Sequence, residues 1–380
     1  MTYITCDGFE TYGDATTSFA TLKTNVEATD DRRWTTAIGL PNGANIVAGY
    51  DSIGLALEID DGGSSSARGE NVVTAFGSGY NESTAGSKEY AVGFRYYNAE
   101  LLSSGTVPHR RIWWNTVGTY SASPSHSTAS LLEVGNDNTT LRYTATSGGL
   151  QTFAGTFTVN TWHYIECHYI PAPAGSGGFM KIYVDGSLIV NDSVNNVVSA
   201  TFFKNLGMRI GSNISGGNNN LAVETPKFDD VYAIEIDGVT HTDVLGDCRV
   251  IPLAPTSDAT PNDWTPSTGA NNYALIDETD WDTTDYVDAA TAGDDEHYGL
   301  DTLSGTTTVH GVRLDAVCIA VSGTPTLHIG FDDGTADEDN MGVIGTGSTV
   351  QKVADFPLDP SGASWNESSI NAVDATQRIS

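Results

Sequence analysis

The sequence predicts an all-β protein made of two antiparallel β-sandwiches in succession, and three observations predict it. Short segments alternate apolar and polar residues with a period of two, the signature of half-buried strands. Gly is abundant, with 41 residues, and Ser, Thr, Asn and Asp recur along the whole chain, which favours turns between strands over helices. Turn signals return about every eight to twelve residues, and no stretch shows a convincing helical period. A barrel satisfies the same pattern, whereas the lack of a short repeat disfavours solenoids and propellers.

The elements follow in order. Gly54 to Ile59, Tyr90 to Tyr97, Arg111 to Trp114 and Thr140 to Thr144 read as strands. Trp162 to Ile170 reads most strongly: alternation sets Trp162, Tyr164, Glu166, His168 and Ile170 on one face and His163, Ile165, Cys167 and Tyr169 on the other. Pro171, Pro173 and a Gly-Ser-Gly-Gly run end it. Met180 to Val184 and Leu188 to Val190 then flank Asp185-Gly186, a tight hairpin turn. Phe228 to Ile236 is a further strand closed by Asp237-Gly238. Beyond a run punctuated by Pro252, Pro255, Pro261 and Pro266, a second set appears at Gly311 to Ala320, Thr326 to Phe331 and Val350 to Asp355, closed by Trp365 and Ile370 to Val373. The expected division is therefore a first sandwich over 1–250, a proline-rich linker over 251–270 and a smaller acidic sandwich over 271–380.

Charge is uneven. The net charge is −31, and the stretch from Ile251 onward holds 22 Asp and Glu against 3 Lys and Arg. A field of that sign repels nucleic acid and anionic membrane, so neither is an expected partner. Cys6, Cys167, Cys248 and Cys318 are widely spaced, without a metal-ligand pair, and are expected as free thiols of a reducing cytoplasm. Met1 to Gly8 lacks basic residues followed by an apolar run, so no export leader is expected, and no segment reaches bilayer-spanning length.

Three segments of the first domain together resemble the concanavalin A-like, laminin-G-like sandwich: Thr161-Trp162-His163-Tyr164-Ile165, Lys181-Ile-Tyr-Val-Asp185-Gly186 and Phe228-Asp229-Asp230-Val231-Tyr232. The opening Cys6-Asp7-Gly8-Phe9-Glu10 looks like the first strand of such a domain. Further on, Leu245-Gly-Asp-Cys-Arg-Val250, Trp264-Thr-Pro266, Asn271-Asn-Tyr273, Asp277-Glu278, Asp285-Tyr-Val287 and Ser364-Trp365 through Ala372 look like an arrangement found in tailed-bacteriophage virion proteins. The resemblance implies a concanavalin A-like sandwich followed by a second β domain. It also implies a place in the virion, assembled in the host cytoplasm, at the tail tip or in a fibre, with capsid decoration as the alternative.

The residues themselves assemble no reactive set. Some glycoside hydrolases use this sandwich and need two carboxylates about 5 Å apart in the retaining case. Glu58-Ile-Asp60 and Glu235-Ile-Asp237 each begin an alternating acidic face, and Gly62 and Val239 end it. No Gly-x-Ser-x-Gly elbow occurs, and His163 and His168 fall on opposite strand faces. Calcium has oxygen donors in Asp332 to Asn340 and Asp280 to Asp288, without EF-hand spacing; no metal ligand and no cofactor is assigned. Asp229 and Asp230 are less free, one being expected to point inward and accept loop N–H groups. Of Tyr96-Tyr97 and Trp113-Trp114, one member of each pair faces the core and the other outward, toward a subunit or a sugar. The reading is thus a non-enzymatic virion structural protein without catalytic residues. Its expected partners are other virion proteins, further copies of itself and a host-surface glycan. A carbohydrate-binding module, or a glycoside hydrolase or lyase on the same sandwich, is the alternative, with Glu58 or Glu235 in a cleft.

Overall fold

The computed structural model describes residues 4–9, 34–38, 44–52, 54–59, 69–75, 89–99, 109–117, 131–135, 139–144, 150–153, 157–170, 179–193, 206–215, 225–269, 271–277, 285–305, 308–347 and 349–380. It is nearly all β, and the chain divides into two compact units that change over between Val250 and Ile251.

The strands of the first unit are β1 (Ile4–Asp7), β2 (Trp34–Ile38), β3 (Ala44–Ala48), β4 (Leu55–Ile59) and β5 (Gly69–Ala75). They continue as β6 (Glu89–Tyr97), β7 (His109–Val117), β8 (Leu131–Val134), β9 (Leu141–Thr144) and β10 (Leu150–Phe153). The last are β11 (Trp162–Ile170), β12 (Phe179–Val184), β13 (Ser187–Asp192), β14 (Leu206–Ser215) and β15 (Lys227–Ile236). They form two antiparallel sheets. The larger runs β13-β12-β11-β6-β15-β4-β3, with β1 also paired to β15; the other runs β10-β9-β8-β7-β14-β5-β2. Tyr90, Val92, Phe94 and Tyr96 of β6 point between the sheets, and Tyr169 of β11 meets Trp113 of β7 edge-on at 6.1 Å. The expected alternation along β11 is what places Ile165, Cys167 and Tyr169 in this core. Asp185 and Gly186 both adopt left-handed φ, 48° and 76°, the geometry a two-residue hairpin demands.

An ordinary sandwich wets its outer faces, yet β6, β11 and β15 are buried on both sides. The cause is the segment after β15. Val244, Leu245 and Cys248 pack on Ala91, Tyr164, Tyr232 and Ile234, so the outer face of the central strands becomes a second, thinner core. Gly93 makes this possible. A Cβ there would lie 2.1 Å from Tyr232 Cε1 and 2.8 Å from the Tyr164 hydroxyl, so only glycine admits both rings.

The second unit holds β16 (Pro255–Asn262), β17 (Thr265–Pro266), β18 (Val287–Asp288), β19 (Asp295–Leu300), β20 (Val312–Cys318), β21 (Thr326–Asp332), β22 (Ala336–Val343), β23 (Val350–Phe356) and β24 (Asp374–Ile379). Five of these pair in the order β16-β19-β24-β21-β22, while β17 pairs β18 and β20 pairs β23. Phe331, Phe356 and Trp365 interlock at the core, where Trp365 Nε1 donates to the Phe356 carbonyl at 2.8 Å. The short helix α1 (Glu367–Ile370) is capped by Asn366 in a reciprocal capping box with Ser369. The expected linker over 251–270 is corrected in part: its proline-punctuated run is β16, an edge strand whose ladder with β19 is broken by register shifts. Proline lacks the N–H a central strand would need but is tolerated at an edge.

Candidate functional site

Strand register assembles one row on the outer face of the larger sheet. Trp162 of β11 lies opposite Tyr97 of β6. Tyr97 lies opposite Lys227 of β15, Lys227 opposite Glu58 of β4, and Glu58 opposite Asn45 of β3. Directly opposed residues share a face, so these five side chains form a continuous line across five strands. Their contacts run the same way. The Tyr97 and Trp162 rings meet edge-on with centroids 5.6 Å apart, and the Lys227 ammonium sits 5.0 Å from the Tyr97 centroid. Lys227 Nζ is 3.9 Å from Glu58 Oε2, and Asn45 Nδ2 donates to Glu58 Oε1 at 3.2 Å. Trp162, Tyr97, Lys227 and Glu58 are half-buried and Asn45 is exposed, so the row reaches solvent.

Tyr50 completes the aromatic end. It opens the turn Tyr50–Ser52 that follows β3, and its ring meets Trp162 edge-on at 6.0 Å. Its N–H donates to Asp229 Oδ2 at 2.8 Å, its carbonyl accepts from Arg249 Nη2 at 2.7 Å, and the guanidinium of Arg95 lies 3.9 Å from its ring centroid. Behind it, Asp230 accepts from Arg95 Nε at 2.7 Å and forms an ion pair with Arg249 Nε at 3.0 Å, while Arg95 also binds Asp247 and Arg249 lies 3.9 Å from Asp51. The Asp pair sits where the ladder between β15 and β6 slips register, with Asp230 at φ 50°, and this bulge is what turns both carboxylates toward the loops. Burial first, then the adjacent Asp230 charge, pushes the Asp229 carboxyl up to about 7.

A second polar cluster lies under the 244–248 segment. Glu166 Oε1 accepts from the Tyr232 hydroxyl at 2.6 Å and from the Gly246 N–H at 2.9 Å, and the Tyr164 hydroxyl is 3.0 Å from Cys248 Sγ. Burial raises Glu166 against the opposing Tyr232 bond, raises Tyr164 and Tyr232, and lifts the Cys248 thiol to about 12. These groups are neutral donors or tightly bonded acceptors. They fasten the covering segment and present no ready nucleophile.

The residues singled out in the sequence divide clearly. Glu58 stands in the row, whereas Glu235 lies opposite Tyr90 on the core side of β15 and is 9% exposed. The two cannot converge on one substrate. Asp237 accepts the N–H groups of Val239, Thr240 and His241 and shapes a turn, and Asp60 and Gly62 lie outside the described residues. His163 bonds Asp185 at 2.7 Å and stacks on Phe157, while His168 lies between Glu89 at 3.1 Å and Asp243 at 3.4 Å, on the other face. Partial burial works the other way, yet the His163 and Tyr164 N–H bonds hold the Asp185 carboxyl below its ordinary value. Tyr96 is core and Tyr97 outward; Trp113 is core, and the Trp114 side chain lies outside the described residues. Asp332 to Asn340 folds as the β21–β22 hairpin, with Asp332 and Asp333 accepting turn N–H groups; of Asp280 to Asp288, residues 280–284 lie outside the described residues. Among the described residues no group of three or more His, Cys, Asp or Glu is placed to hold a metal ion. Asn45, Tyr50 and Lys227 were invisible in the sequence, because their neighbours come from strands far away along the chain.

No family model matches this chain, and no curated protein matches it. Solved structures do. The endo-β-1,4-glucuronan lyase of the fungus Trichoderma reesei is 16% identical with a TM-score of 0.35, over 53% of this chain and 90% of that one. The alginate lyase Aly36B is 10% identical with a TM-score of 0.39, over 60% and 96%. The Trypanosoma rangeli sialidase is 12% identical with a TM-score of 0.33, over 50% of this chain and 26% of the sialidase. All three are carbohydrate-active enzymes, and a further match is an alginate lyase from Chlorella virus. The expectation of a non-enzymatic virion structural protein, at a tail tip, fibre or capsid, is corrected by these matches. The virion place rested on the two-domain resemblance, and the non-enzymatic part on the absence of a complete catalytic set along the sequence, whereas strand register gathers aromatic, cationic, acidic and amide groups into one line. The likeness itself is one of sheets and assigns no residue a role.

Proposed function

We propose that this chain is a carbohydrate-active β-sandwich protein that takes a saccharide chain along the row Trp162, Tyr97, Lys227, Glu58 and Asn45. The observation that carries the reading is the register that lines up these five residues on one solvent-reaching face. A pyranose ring offers an apolar C–H face and a rim of hydroxyls. Rigid aromatic rings suit the first, and a few placed polar groups suit the second. Tyr50, Tyr97 and Trp162 supply the rings, held edge-on to one another. Lys227, Glu58 and Asn45 supply donors and acceptors. Five strands span about 19 Å, longer than one sugar, so an oligosaccharide fits the row better than a monosaccharide. Glu58, Lys227 and the Tyr97 phenol are the groups of the row able to exchange a proton with a bound chain.

Calorimetry with an oligosaccharide panel, read alongside new reducing ends and the ultraviolet absorbance of unsaturated product, tests this. Trp162→Ala is expected to weaken binding by about tenfold or more. Glu58→Gln is expected to leave binding within a few fold and abolish turnover. A chain that binds no saccharide, or a Trp162→Ala variant that binds as the parent does, would overturn the reading.

A further inference from the structure

Resting on that reading, we infer that the saccharide taken by this face is uncharged: a neutral, hydroxyl-rich glycan, not a uronate or sulfated one. The charges at this face are already matched within the protein. Among the described residues three cations stand in or beside the row, and each already has a carboxylate. Lys227 faces Glu58 at 3.9 Å. Arg95 binds Asp230 at 2.7 Å and also Asp247. Arg249 binds Asp230 at 3.0 Å and lies 3.9 Å from Asp51. At either arginine an acidic sugar would have to displace one of these partners, and the carboxylate left behind would be uncompensated. For Asp230, 2% exposed, that loss falls in a buried site, where breaking an ion pair costs most.

The remaining charge at the site points the same way. Asp51 and Asp247 keep 64% and 60% of their side-chain surface exposed, so the solvent edge of the arginine cluster is acidic. At longer range the chain as a whole carries −31, a field that lowers the local concentration of any polyanion and does so most at low ionic strength. A neutral glycan meets none of these costs. Its hydroxyls donate to carboxylates such as Glu58 in charge-assisted bonds, and the Asn45 amide can both donate and accept. Its C–H faces need only the rings of Tyr50, Tyr97 and Trp162.

The test uses the full chain and matched oligosaccharides: neutral gluco-, xylo-, manno- and galacto-oligomers against uronate-containing and sulfated ones, each titrated at low and high sodium chloride. A neutral oligomer is expected to bind with an affinity that changes less than about twofold with salt, and to lose about tenfold or more in Trp162→Ala. Anionic oligomers are expected to bind at least about tenfold more weakly, the deficit being largest at low salt. An anionic oligomer that binds as tightly as the best neutral one, and tighter as salt is lowered, would sink this inference while leaving the glycan reading intact. Failure of both classes to bind would sink the glycan reading itself.

Discussion

Asp229 and Asp230 are neighbours in sequence with separate duties. Asp230 neutralises two arginines and accepts the Val250 N–H at 2.8 Å, which ties the chain after β15 back onto the sheet. Asp229 accepts the N–H groups of Tyr50 and Asp230 and so positions the aromatic end of the row. The expectation that one of the pair turns inward to loop N–H groups was legible, since two adjacent acids near the start of an aromatic strand have few other uses. That both do so depends on the bulge, which no local pattern announces. The raised Asp229 carboxyl has a consequence for stability. Its folded value of about 7 lies above the unfolded value of 3.8, so the folded chain binds the proton more tightly. Stability from this group is present in full below about pH 4 and falls as pH rises through 7. Asp229→Asn is therefore expected to flatten the decline in urea midpoint between about pH 4 and 7; an unchanged slope would assign it to other groups.

At the scale of elements, the run containing Trp264 and Asn271-Asn-Tyr273, part of the phage-protein resemblance, is a hydrogen-bonded knot. Glu296 of β19 is fully buried and accepts the Trp264 N–H at 3.0 Å and Asn272 Nδ2 at 2.9 Å, while Asp258 of β16 accepts the N–H groups of Asn272 and Tyr273. The knot holds the edge strand β16 and the turn after it against the sheet, which is why a proline-rich run is ordered there. Glu296→Ala leaves the Trp264 N–H short of an acceptor, whereas Asn272 Nδ2 keeps Asn262 Oδ1 and the Trp264 carbonyl, and a loss of about 2 kcal/mol is expected from the urea midpoint at constant m-value. A loss below about 0.5 kcal/mol would show the knot to be ornamental to this unit. The alternation of β11, the Asp185-Gly186 turn and the β21 and β23 strands were readable in advance, because each depends only on side-chain period or on a local φ. The double-sided burial of β6 and β15 was not, since it is imposed by a segment that follows them in sequence.

For the whole molecule, charge is the dominant surface property. The stretch from Ile251 onward holds 22 acidic residues against 3 basic ones, a self-repelling excess of −19, whereas the preceding 250 residues carry −12. Screening relieves such repulsion. Raising sodium chloride is therefore expected to raise the thermal midpoint of the second unit more than that of the first, in scans that resolve two transitions. Equal shifts, or a larger one for the first unit, would mean that the acidic excess is already neutralised within the fold.

By itself the sequence determined the class of fold, about half of the strand positions and the change of composition near residue 250. These follow from side-chain period, backbone preference and net charge, which are properties of neighbours along the chain. Only the tertiary structure decided that Trp162, Tyr97, Lys227, Glu58 and Asn45 stand in one line and that Glu58 and Glu235 face opposite ways. Sheet order and register bring together residues more than a hundred positions apart, and a shift of one residue would turn each of them to the other face.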